Sequence, residues 1–324
     1  MANQAALRWG IMGCARISRR GLIPGIREST SGTLAAIASR SLATAREWAA
    51  EFSIPRAHGS YAELLGDPEI DAVYIPLPNE LHLPMVLDAA AAGKHILCEK
   101  PLALDTSEAE RMIEACKTAG VVLMEAFMWR HQPRTHAIRY AIDSGEIGDL
   151  ILIRSSFSFS IDPSDWRLDP ARGGGALWDV GCYGVSTARL FAGAEPTTVD
   201  ARARFGPTGT DASLVATLSF PRGILAVIDC SFEQPFRCSY ELVGTKGSIE
   251  VPDAYLPPEK PLALITTESG VETREFEGRN QYAAMVDAFA RAVAEGGELS
   301  APSETGLEQM RTLDAILASA RSNR

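Results

Sequence analysis

Four stretches of the 324-residue chain bring together residue types able to do chemistry. The first is Gly10–Ile11–Met12–Gly13–Cys14–Ala15, which closes the apolar run Leu7–Met12 and leads into a helical pattern. At a strand-to-helix turn, small residues let backbone N–H groups approach a pyrophosphate, whose charge then rests on the helix N-terminus. Gly13 and Ala15 stand where a G-x-G-x-x-G turn has its first two glycines, and Ser18 takes the third place. The motif is thus degraded, and an ordinary tight turn competes with it. The second stretch is Ser39–Arg40, at the end of the next strand-like run, with no acid before Glu47. A site for NAD puts an acid there to accept from the ribose 2′-OH. A hydroxyl and a guanidinium suit a 2′-phosphate instead. NADP(H) is therefore favoured over the plainer reading, a solvated arginine.

The third stretch is Glu99–Lys100–Pro101, directly after the apolar run His95–Cys98. Ligands of open α/β sheets bind beyond the carboxyl ends of strands, which aims Lys100 into that crevice. An ammonium there can hydrogen-bond a substrate oxygen and offset charge that develops as a proton moves. A surface lysine beside a turn proline is the alternative. Fourth, Gly173–Gly175 opens a helical pattern in which Asp179 and Tyr183 are i and i+4, on one face of an α-helix. A carboxylate and a phenol projecting together can work as an acid/base pair. Tyr183 would exchange the proton of a substrate carbinol or carbonyl, with Asp179 binding hydroxyls or steering the proton. A core aromatic and an early-turn charge on the helix dipole explain the two residues equally well.

The elements that must hold these groups fall into two halves, as a length near twice the typical ~150-residue domain suggests. Up to about Glu125, short apolar runs (Leu7–Met12, Thr33–Ala38, Asp71–Ile75, His95–Cys98, Val121–Met124) alternate with helical patterns (Arg16–Ser29, Leu42–Phe52, Leu81–Ala92, Ser107–Ala119). That alternation predicts a parallel, doubly wound nucleotide-binding domain over residues 1–125. Pro24 is a flaw in its first helix, which must kink or start late. Residues 126–324 change texture. A helix (Arg134–Ser144), the run Leu150–Ser160, the helix after the glycines and four or more turn-separated runs (Thr197–Arg204, Ser213–Phe220, Ile224–Phe232, Tyr240–Val243) predict an α+β domain with a large, mostly antiparallel open sheet. Leu256–Pro261 reads as a loop. Two helices, Gln281–Ala294 and Glu304–Ala320, close the chain, the last free to pack back on the first domain.

Composition narrows the function. A net charge of −10 disfavours nucleic acid, whose phosphates need a basic face. No apolar run approaches the ~18 residues of a membrane span, and the N-terminus lacks the organisation of a signal peptide. A cytoplasmic protein is expected. The six cysteines and five histidines show no ligand-like spacing, so no metal site is expected. Apolar residues on both faces of runs such as Leu214–Ala216 and Ile224–Val227 predict a homodimer or homotetramer assembled through the C-terminal sheet.

The segments WGIMGCARIS, AIASR, DAVYIPLPNELHLPMVLDAAAAGKHILCEKPLAL, MEAFMWRHQP and WRLDPARGGGALWDVGCYGV resemble the Gfo/Idh/MocA oxidoreductases over nearly the whole chain. The likeness is greatest to the branch of NADP-dependent sugar dehydrogenases, glucose–fructose oxidoreductase and dihydrodiol dehydrogenases. It implies a carbohydrate or vicinal diol as substrate, and Lys100, Asp179 and Tyr183 as catalytic residues. It also implies cofactor contacts from Gly13, Ala15, Arg16 and Ile17 at the pyrophosphate and from Ser39 and Arg40 at the 2′-phosphate. Pro76, Leu77, Asn79 and His82 would lie along the nicotinamide and Glu99 at the ribose. Trp129, Arg130, Trp166 and Arg167 would also reach the cofactor. Ala15 departs from the glycine of many members, and Tyr183 from the histidine of the inositol dehydrogenase branch. Reduction of a keto-sugar and catalytically silent dinucleotide sensing are the competing functions.

Overall fold

The apolar runs of the first half become largely buried strands of a parallel sheet, which one strand outside that pattern joins. In the computed structural model, which describes residues 6–295 and 303–323, these are β1 (Leu7–Met12), β2 (Gly32–Ala38), β3 (Arg56–His58), β4 (Ala72–Ile75), β5 (His95–Cys98) and β6 (Leu123–Glu125). They form one sheet in the order β3-β2-β1-β4-β5-β6, with every neighbour parallel. Between them run α1 (Ile23–Glu28), α2 (Leu42–Glu51), α3 (Tyr61–Leu65), α4 (His82–Ala91) and α5 (Thr106–Ala119). Side-chain caps start three of these helices: Ser41 accepts from the Thr44 amide, Ser60 from Glu63 and Asp105 from Glu108. The chain leaves β1 in one direction and returns to its other side at β4. The strand order therefore reverses between β1 and β4, the place where such sheets bind ligands.

The expected first helix is divided. A π-helical turn, Ser18–Leu22, precedes α1, so Pro24 falls in the first turn, where its missing N–H costs no helical bond. β3 and α3 have no counterpart in the apolar pattern.

The second sheet comprises β7 (Leu150–Ser158), β8 (Thr198–Phe205), β9 (Asp211–Ser219), β10 (Leu225–Ser231), β11 (Arg237–Gly244), β12 (Gly247–Pro252), β13 (Leu262–Thr267) and β14 (Gly270–Glu275). Their order is β14-β13-β12-β11-β7-β10-β9-β8. All pairs are antiparallel except β7 with β10. The Pro-rich stretch Leu256–Pro261 connects β12 to β13. Besides α6 (Pro133–Asp143), this half holds α7 (Cys182–Ala192), which lies on β7 and β10. The approach is close: a Cβ on Gly184 would stand 2.5 Å from Ile228 Cγ2, and one on Gly181 2.8 Å from Cys230 Sγ. The opposite face of the sheet leaves Val215 and Leu225 about half exposed.

The closing helices are α8 (Gln281–Glu295) and α9 (Ser303–Ser322). α8 joins the first sheet's unit: Phe289 packs on Trp9 with ring centroids 5.0 Å apart. The Tyr282 ring and backbone fill the space where Gly21 and Gly25 lack side chains. Each large side chain buried this way stabilises by roughly 1.5–3 kcal/mol. The described residues thus form two compact units, one within Met1–His131 and Asn280–Leu307, the other within Gln132–Arg279 and Glu308–Arg324. Among them no helix is long and apolar enough to cross a membrane. All six cysteines are free, and five are buried.

Candidate active site

In the first unit the turn after β1 is built for close approach. Gly13 has φ +120°, a region that favours glycine, and a Cβ there would stand 2.9 Å from Leu77 Cδ2. The Gly13 turn and the loop after β4 therefore pack directly on each other. The Gly13 amide donates to Ala38 O at 2.9 Å, which ties this turn to the end of β2. The helical residues Arg16 and Ile17 follow, and the first amides of a helix lack intrahelical acceptors. Ser18 is fully buried and is a packing residue at the third glycine position. At the end of β2, Ser39 hydrogen-bonds the Cys14 thiol, and Arg40 is exposed. Tyr61 of α3 stands at this turn beside Arg40 and Cys14, and burial raises its pKa. The pattern gave no hint of Tyr61, because it sits in the short α3. A hydroxyl, a guanidinium and free helix amides, with no carboxylate at the end of β2, fit a 2′-phosphate and a pyrophosphate.

The loops after β4 and β5 are locked together. Tyr74, wholly buried on β4, donates to Glu99 Oε1 at 2.5 Å, and the Lys100 amide donates to Glu99 Oε2 at 3.3 Å. The Lys100–Pro101 peptide is cis. Beyond it the Leu102 amide donates to Glu125 Oε1 at 2.9 Å. His82, expected along the nicotinamide, is wholly buried instead. Its Nε2 lies 2.9 Å from Leu77 O, and its Nδ1 lies 3.0 Å from Pro101 O and 3.2 Å from Leu102 O. The ring bridges the two loops, so its influence on a ligand passes through Leu77 and Pro101. Burial lowers its pKa, against the pull of the three carbonyls and of Glu80. Of the other residues expected at the cofactor, Pro76, Asn79 and Trp129 are buried, whereas Leu77, in the loop that Pro76 begins after β4, and Arg130 are partly exposed.

In the second unit, Asp179 and Tyr183 do not share one regular α-helix. Leu177–Gly181 is a π-helical turn, and α7 begins only at Cys182. The wider turn lets Gly181 pass against Cys230. Asp179 is partly exposed and accepts from Arg167 Nε at 2.8 Å, while Asp165 holds the same guanidinium at 3.3 Å. Despite burial, the two carboxylates leave Arg167 with a raised pKa. Trp166 lies 5.1 Å beneath both Arg167 and Arg172. Thus Arg167, expected at the cofactor, is bound to Asp179 and orients its carboxyl group. Tyr183 is 6% exposed, with its ring 5.4 Å from Phe157 and 4.8 Å from Tyr255. Tyr255 in turn shares its hydroxyl with Ser155 at 2.7 Å and Thr187 at 2.8 Å. That buried cluster fixes the phenol ring; its members are scattered along the chain and carry no motif.

A dinucleotide-type sheet with a lysine at one strand end, and a separate sheet carrying a carboxylate and a phenol on one helical segment, define a two-domain oxidoreductase. Residues 7–127 match the oxidoreductase family with an NAD-binding Rossmann fold, and residues 135–250 the Gfo/Idh/MocA C-terminal domain. The chain belongs to the Gfo/Idh/MocA oxidoreductase family. It is 40% identical to D-xylose 1-dehydrogenase (NADP(+)) 2 of Haloferax volcanii over 98% of each chain. A dTDP-3,4-didehydro-2,6-dideoxy-alpha-D-glucose 3-reductase of Actinomadura kijaniata is 33% identical over 99% of this chain and 97% of its own. Among solved structures, the aldose-aldose oxidoreductase of Caulobacter crescentus complexed with glycerol has a TM-score of 0.92 and 29% identity, covering 98% of both chains.

Proposed function

We propose that the chain transfers hydride between NADP(H) and the carbinol or carbonyl carbon of a sugar or related vicinal diol. The observation that carries this reading is the pairing of an Arg167-bound Asp179 with a packed Tyr183 on one helical segment. The xylose dehydrogenase of Haloferax volcanii supports sugar as substrate and NADP as cofactor. When bound, the cofactor supplies the hydride acceptor or donor. Gly13, Ala15, Arg16 and Ile17 would hold its pyrophosphate, Ser39 and Arg40 its 2′-phosphate, and Pro76, Leu77 and Glu99 its ribose and nicotinamide side. Tyr183 takes or gives the carbinol proton, Asp179 accepts from substrate hydroxyls, and Lys100 offsets charge on the reacting oxygen. The same groups run in reverse would reduce a keto-sugar, a second reading favoured by the Actinomadura kijaniata reductase. Following absorbance of the reduced cofactor across a panel of pentoses, hexoses and diols tests both. Binding without turnover on any of them would refute the enzyme reading.

Arg40→Asp is expected to swing preference from NADP(H) to NAD(H), because a carboxylate repels the 2′-phosphate and accepts from the 2′-OH. Titration of cofactor fluorescence checks this, and equal affinities in the unmutated protein would sink it.

We also place the protein in the cytoplasm, in keeping with six unpaired thiols. As its assembly we take a homodimer or homotetramer through the second sheet. On that sheet's outer face Leu225 neighbours Leu152, and Val227 neighbours Arg154, whose charge pairs with Glu241. Exposed Val215 and Leu225 beside such ion pairs suit an isologous contact. Light scattering that reports a monomer at micromolar concentration would overturn it.

A further inference from the structure

Asp211 lies at the start of β9, 2% exposed, and belongs to no motif. Its Oδ2 accepts from the Leu177 amide at 2.6 Å, and its carboxyl also bonds the Ala176 amide. These amides begin the helical segment that carries Asp179 and Tyr183. Its Oδ1 occupies the space beside Gly175, where a Cβ would stand 2.2 Å away and where φ is +131°. Gly175 is thereby confined to glycine by both backbone angle and contact. The Gly175 amide donates to Arg167 O at 2.9 Å, and the Asp179 amide donates to Gly175 O at 3.1 Å. Arg167 then returns through its side chain to the Asp179 carboxylate at 2.8 Å. A closed circuit therefore runs from Asp211 through the glycine turn to Arg167 and Asp179.

We propose that Asp211 is a positioning residue for the acid–base segment. Its buried carboxylate fixes the glycine turn and the first helical amides, and through them the placement of Asp179 and Tyr183. The inference rests on the roles proposed above for those two residues.

Besides the amides, the groups facing Asp211 are Arg321 of α9 and the Cys230 thiol of β10, the latter pushed up by burial and by Asp211 itself. Burial dominates and raises Asp211 to about 7. The folded-state pKa thus lies above the unfolded value of ~3.9. The stability this group contributes is full below that unfolded value and is lost as pH rises through about 7. The fold resists the ionised form, yet that form is the stronger acceptor for the helix amides. Placement of the segment and overall stability therefore move in opposite directions with pH.

Asp211→Asn separates positioning from simple structural support. At pH ~8 we expect kcat to fall by about ten- to a hundredfold, as for a small misplacement of reacting groups. NADP(H) affinity should stay within about twofold, and Tm should be unchanged or raised, because no charge is left to bury. In the unmutated protein kcat should rise with pH through about 7, and this limb should vanish in the variant. Should the variant fail to fold, the unmutated protein decides the matter: the ¹⁵N shift of the Leu177 amide and kcat should titrate together, with a common midpoint near 7. An unchanged kcat and pH limb in Asp211→Asn, or a Leu177 amide that does not titrate, would overturn the proposal. No sugar turnover by the unmutated protein would instead sink the reading of the site, while the amide titration would still show whether the Asp211 carboxylate holds the Leu177 amide.

Discussion

Tyr183→Phe is expected to lower turnover by ~10²–10⁴, the usual contribution of general acid–base catalysis. The substitution is clean because the ring is held by aromatic neighbours: the edge contact to Phe157 and the packing on Tyr255 survive in phenylalanine. Thr187 bonds the Tyr183 carbonyl rather than the phenol, so the backbone anchor is kept as well. Only the hydroxyl goes. Cofactor affinity should barely change. Steady-state rates at saturating substrate, with a deuterium isotope effect showing that hydride transfer limits the rate, give the measurement. Near-normal turnover under those conditions would remove Tyr183 from the mechanism.

Lys100→Met should cost about 10²–10³ in kcat, the scale of losing one group that stabilises transition-state charge. A methionine keeps most of the side chain's length and apolar stem while removing the ammonium. The loop itself should stay in place, because its fixed points are Glu99 on Tyr74, Leu102 on Glu125 and two carbonyls on His82. If Lys100 and Tyr183 act on the same oxygen, the double variant should lose less than the product of the two single losses. Fully multiplicative losses would mean that the two residues act independently.

Much of the first unit could be read from the chain because its strands are continuous apolar runs with small residues at their ends. β1 and β5 begin and end where the pattern changes, and Lys100 stands two residues past β5, so its place near a strand end was readable too. β3 was not readable. It has three residues, Arg56–Ala57–His58, and none of them is fully buried, so no periodicity marks it. The π-helical turns at Ser18–Leu22 and Leu177–Gly181 were also hidden, since apolar spacing does not separate a five-residue turn from a regular helix. The acids divide in the same way. Asp179 follows a run of three glycines and draws notice from sequence alone. Asp211 does not, because its importance comes from burial against amides 34 residues away in the chain.

The seat of His82 has a bearing on proton traffic. Imidazole is the side chain most often given the task of relaying a proton near neutral pH, and this one lies beside the loop that carries Lys100. Yet each of its nitrogens faces only carbonyl oxygens, which have no proton to give. Whichever nitrogen carries the hydrogen, that hydrogen is already engaged in joining two stretches of backbone, and the ring has no exposed edge through which to pass it on. This imidazole is thereby withdrawn from proton transfer. The role proposed for the phenol at Tyr183, a far weaker acid when free, therefore meets no competition from His82.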